Sequence, residues 1–123
     1  MPSPTLVRRI VCSYTRDELP AAWLAVFRRF ERVIERAGLR VRVRLDPLEE
    51  LPERFEVLVV PEELRERAES LAGVARVIAT TRTDATTAAN DLVRELQAGA
   101  TLTAERRRPG EPKIVVHRGT EIL

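Results

Sequence analysis

The sequence predicts an α/β domain built on a parallel sheet, because extended segments alternate with helical ones along its 123 residues. Three observations carry that expectation. Leu39-Arg40-Val41-Arg42-Val43-Arg44-Leu45 alternates strictly, which gives a strand one buried and one wet face. Phe55-Glu56-Val57-Leu58-Val59-Val60 is almost continuously apolar, as a strand covered on both faces requires. Between Trp23 and Ala37, apolar residues recur at spacings of three and four. The expected architecture is a four-stranded parallel sheet in the order 2-1-3-4, flanked by three helices, plus a C-terminal β-hairpin.

Taken in order, Leu6 to Cys12 forms the first strand and ends near Ser13. Trp23, Val26, Phe27, Phe30, Val33, Ile34 and Ala37 share one face of the first helix, and Arg28, Arg29, Glu31, Arg32, Glu35 and Arg36 share the other. Pro20 suits its first turn, and Gly38 its stop. The arginine-alternating second strand belongs at an edge and the valine-rich third in the centre. Arg8 and Arg9 then fall at the entrance of the first strand, where side chains reach water. Pro61 opens a second helix through about Ala72, with Leu64, Ala68 and Leu71 facing inward. Val74 to Ala79 is the fourth strand. Asp84 caps a third helix carrying Ala88, Leu92, Val93 and Leu96, closed by Gly99. Ala100 to Arg107, a Pro109-Gly110 turn and Lys113 to Arg118 read as the hairpin, pairing Leu102 and Ala104 with Ile114 and Val116.

Composition narrows the function. Hydrophobic residues make up 44% and charged residues 33%, which excludes a disordered chain, and no apolar run approaches a bilayer span of roughly 20 residues. The N-terminus lacks the layout of a signal peptide, and one cysteine excludes an internal disulfide framework, so a cytoplasmic domain without membrane insertion is expected. One cysteine and one histidine also argue against a metal site, and no cofactor is implied. Residues 1–98 carry 16 Arg and 16 Asp+Glu, so the net charge of +2 lies in the last 25 residues. Nucleic acid is the disfavoured partner, because Arg106-Arg107-Arg108 lacks interleaved aromatic residues.

In open parallel sheets, ligands bind beyond the carboxyl ends of the strands near the switch in strand order. Cys12 to Asp17, Pro61 to Glu63 and Thr80 to Asp84 converge there. A thiol between a strand end and a helix N-terminus sees free backbone N–H groups and the positive end of a helix dipole, which favour thiolate and bound oxyanion alike. Cys12 is therefore the candidate nucleophile, with Ser13, Thr15, Arg16 and Arg82 as candidate phosphate ligands. The competing reading makes Cys12 a packing residue, as free cysteines more often are. A low-molecular-weight tyrosine phosphatase is excluded, because it needs arginine where Glu18 stands, and no G-x-G-x-x-G or Walker A loop is present.

Ile10-Val11-Cys12 with its short polar loop, Phe55 to Val60 as third strand, and Asp91-Leu92-Val93-Arg94-Glu95-Leu96 as closing helix resemble the IIB components of the sugar phosphotransferase system, of lactose, galactitol or ascorbate type. The resemblance spans about residues 5–98. It implies a IIB-like domain over residues 1–99 with a C-terminal extension over 100–123, a cysteine phosphorylated at Cys12 and a IIA phosphodonor protein as partner. Two functions follow as expectations: a IIB-like phosphocarrier or thiol-dependent oxyanion-handling protein, and a non-catalytic α/β domain that binds a small ligand or forms a homodimer through the hairpin.

Overall fold

The computed structural model describes residues 3–15 and 21–107. Along these residues run β1 (Thr5–Leu6), β2 (Arg9–Tyr14), α1 (Ala21–Ala37), β3 (Arg42–Pro47), β4 (Val57–Pro61), α2 (Arg65–Leu71), β5 (Arg76–Thr80), α3 (Ala85–Ala98) and β6 (Leu102–Thr103). Four strands form one parallel sheet in the order β3-β2-β4-β5, which is the expected 2-1-3-4 order. Gly38 and Gly99 stop α1 and α3 with φ near +70°, a backbone conformation that suits a residue without Cβ. No described helix is long and apolar enough to cross a membrane.

The period of two along each strand divides the core into two unequal halves. Ile10, Cys12, Val43, Val57 and Val59 face α1 and α3, meeting Trp23, Val26, Phe30, Ala89 and Leu92. Val11, Leu58 and Val60 face the other way, toward Ala68 and Ala72 of the α2 region and Leu48. At about 1.5–3 kcal/mol for each buried valine- or leucine-sized side chain, this two-sided burial outweighs any surface ion pair. The bidentate Arg76–Glu95 pair, at 2.9 and 2.7 Å, pins α3 to β5, but its partial exposure holds its worth to about 1 kcal/mol or less.

Several expectations are corrected. β2 continues through Ser13 to Tyr14, so Cys12 lies inside the strand, opposite Leu45 on one side and Val59 on the other. A 3-10 turn at Glu62–Leu64 precedes α2, and the inward face runs Leu64, Ala68, Ala72 at a spacing of four, which leaves Leu71 beside it at 47% exposure. The fourth strand starts at Arg76 rather than Val74, which is fully exposed. Asp84 stands at the start of α3 but caps it with no side-chain bond; its carboxylate accepts from Thr81 Oγ1 at 3.3 Å instead.

The largest correction concerns the C-terminal hairpin. Its first arm pairs in parallel with the N-terminal strand, Thr5 opposite Leu102 and Leu6 opposite Thr103. Thr5 N and Val7 N donate to the carbonyls of Thr101 and Thr103 at 2.9 and 2.7 Å. Arg40 N then donates to Glu105 O, and Arg107 N to Gly38 O, which joins the same segment to the α1–β3 connection. Leu102 anchors this docking, its side chain buried to 5% exposure among core residues, a gain that an isolated two-stranded hairpin does not offer. The second arm, Lys113 to Arg118, and the turn at Pro109-Gly110 lie outside the described residues, as does Pro20. In urea denaturation, Leu102→Ala should lower stability by about 2–5 kcal/mol, whereas Leu71→Ala should stay within about 0.5 kcal/mol of the parent.

Candidate functional site

The two ends of the parallel sheet differ in chemistry. At the carboxyl end, Cys12 is fully buried among Trp23, Val26, Phe30 and Ala85. Burial pushes its thiol pKa far up, and the negative charge of Glu31 adds to the rise, so Sγ keeps its proton. Cys12 itself lies between two ladder partners, Leu45 and Val59. Ser13 projects to the opposite face and is fully buried, its hydroxyl donating to the Asp46 carbonyl at 2.6 Å. Thr15 is half-buried just past β2. Arg82 is exposed in the turn after β5, two strands or roughly 10 Å across the sheet from β2. Arg16 lies outside the described residues. The strands thus turn Cys12 and Ser13 apart rather than toward one ligand, and Arg82 stands off to one side. Among the described residues, no group of three or more His, Cys, Asp or Glu is placed to hold a metal ion.

The amino end carries a cavity of about 790 Å³. Arg8, Arg9, Arg40, Arg42 and Arg54 line it, with Glu56, Glu105 and Leu6. Strand order places them together. Arg9 and Arg42 are register partners at the starts of β2 and β3, Arg8 precedes β2, and Arg54 lies just before β4 on the other side. Val43 and Leu45 turn toward α1, which leaves Arg42 and Arg44 on the opposite face of the edge strand. Arg44 is committed to Asp46 at 3.0 Å. Arg8, Arg42 and Arg54 form no ion pair among the described residues.

Glu56 organises this end. The break between β1 and β2 leaves the amides of Arg8 and Arg9 outside the ladder, and both donate to Glu56 Oε1, at 2.8 and 3.0 Å. Glu56 N donates to Arg9 O at 3.1 Å and Arg76 N to Glu56 O at 2.9 Å, so its backbone continues the pairing of β2, β4 and β5. Arg9 Nη1 donates to the Arg54 carbonyl at 3.1 Å, closing one wall. Two consecutive amides aimed at one carboxylate oxygen form a small anion-binding concavity, occupied here by the chain's own side chain.

Reading the sequence segment by segment missed this cluster. Arg8-Arg9, Arg40, Arg42 and Arg54 are far apart in the chain and look like separate solvated charges. The usable signal was positional: all precede or begin strands that the order 2-1-3 makes neighbours. Replacing Glu56 with alanine removes the acceptor of the Arg8 and Arg9 amides and should cost about 0.5–1.5 kcal/mol in a denaturant melt, because water reaches these near-surface donors. Glu56→Gln keeps an acceptor and should lose less. A scan against protein-family models finds no match for the chain, and no curated protein matches it.

Proposed function

We propose that this chain is a non-catalytic α/β domain that works by binding, with Cys12 as a packing residue of its core. The observation that carries this reading is the complete burial of Cys12 in the middle of β2, with its thiol held protonated. The phosphocarrier implied by the IIB resemblance needs Sγ within reach of a phosphodonor's histidine and of the phosphate ligands beside it. A thiol enclosed by Trp23, Val26 and Phe30, with Ser13 bonded to Asp46 on the other face, favours the binding role.

Iodoacetamide labelling of the native protein tests the proposal. Cys12 should react slowly between about pH 6 and 8.5, indifferently to added phosphate, and rapidly once the chain is denatured. Fast native labelling with protection by phosphate would restore the phosphocarrier. Stability gives an independent check. A thiol whose folded pKa is raised contributes stability that is fully present below its unfolded value, here 9.0, and is lost as pH rises above it. The parent should therefore lose about 1.4 kcal/mol per pH unit above that value relative to Cys12→Ala, which lacks the titrating group.

A further inference from the structure

We propose that the arginine-lined cavity at the amino end of the sheet binds a small polyanion, a linear chain of two or more phosphoryl groups. Among the described residues five arginines and two glutamates line it, in a chain whose whole net charge is +2. One of the two carboxylates is already engaged, since Glu56 Oε1 accepts from the Arg8 and Arg9 amides. Arg8, Arg42 and Arg54 are exposed and make no ion pair among the described residues, so their forked donors face the cavity without a carboxylate partner. Guanidinium forks match phosphoryl oxygens in pairs, and guanidinium sheds water more readily than ammonium does. Gathering this many like charges favours an anion that neutralises several at once over a single monovalent ion.

Size and lining choose among polyanions. About 790 Å³ lies within the range of small-molecule sites, roughly 300–1,000 Å³, and is ample for a short phosphate chain. Among the described residues nothing aromatic lines the cavity, so they offer bases no platform on which to stack, which disfavours single-stranded nucleic acid. The site owes nothing to Cys12, so its failure would leave the packing role of the thiol standing, and a reactive thiol would leave this site standing.

Titration calorimetry with sodium tripolyphosphate, at about 20 mM and about 500 mM salt, provides the test. One tripolyphosphate per chain should bind at low salt, at least about tenfold more tightly than orthophosphate, and weaken at high salt. Arg8→Ala combined with Arg54→Ala should reduce that affinity about tenfold or more without changing the melting temperature. Arg28→Ala combined with Arg32→Ala removes the same charge from the exposed face of α1 and should change affinity less than about twofold. ATP binding as tightly as tripolyphosphate assigns recognition to the phosphate chain alone, and tighter ATP binding assigns it to a nucleotide; both support the site. No tripolyphosphate binding at low salt, equal losses in the two double variants, or tighter binding of a short oligothymidylate would each overturn it.

Discussion

Burial of the two central strands on both faces is the constraint on which the rest of this structure depends. Ile10 to Ser13 of β2 and Val57 to Val60 of β4 are without solvent exposure, held between α1 and α3 on one side and the α2 region on the other. A strand covered twice has no face on which to place a charge. Ionisable groups are therefore displaced to its ends, to the edge strand β3 and to the outer faces of the helices. Cys12 is held in the same way: burial takes its thiol out of solvent, and among the described residues the charge that acts on it is that of Glu31, which disfavours thiolate.

That displacement makes the sheet polar in function as well as in direction. Open parallel sheets ordinarily present ligands to their carboxyl ends. Here β2 carries buried side chains to within one residue of its end, and Ser13 spends its hydroxyl on Asp46. The amino end is where the double cover stops. Three neighbouring strands begin there with arginine or glutamate close by, and the break after β1 leaves two amides that Glu56 accepts. Glu56 thereby ties β2 to β4 and forms one wall of a cavity lined largely by arginine.

Periodicity made the sheet order, the three helices and the two-sided core legible in the sequence, because each depends on local spacing and burial alone. Arg42 and Arg44 alternating with Val41, Val43 and Leu45 marked an edge strand whose wet face the structure retains. What local reading missed depends on contacts far apart in the chain. Leu102 pairs with the N-terminal strand and is buried in the core, a contact between the two ends of the described chain. Leu71 stands outward because the inward face of this segment follows Leu64, Ala68 and Ala72. Cys12 looks like a strand-end thiol in the sequence because the run from Ser13 to Asp17 is polar. Yet β2 continues along the full length of β3, to Tyr14 opposite Pro47.

The central claim, that Cys12 is closed off by packing and the amino end is the binding face, is tested most directly by mapping amide chemical-shift changes as tripolyphosphate is added to labelled protein. The account predicts shifts concentrated at Arg8, Arg9, Arg42, Arg54 and Glu56, with Cys12 to Thr15 and Thr81 to Asp84 unmoved. Shifts centred on Cys12 to Thr15 and Arg82, with the amino end silent, would contradict it.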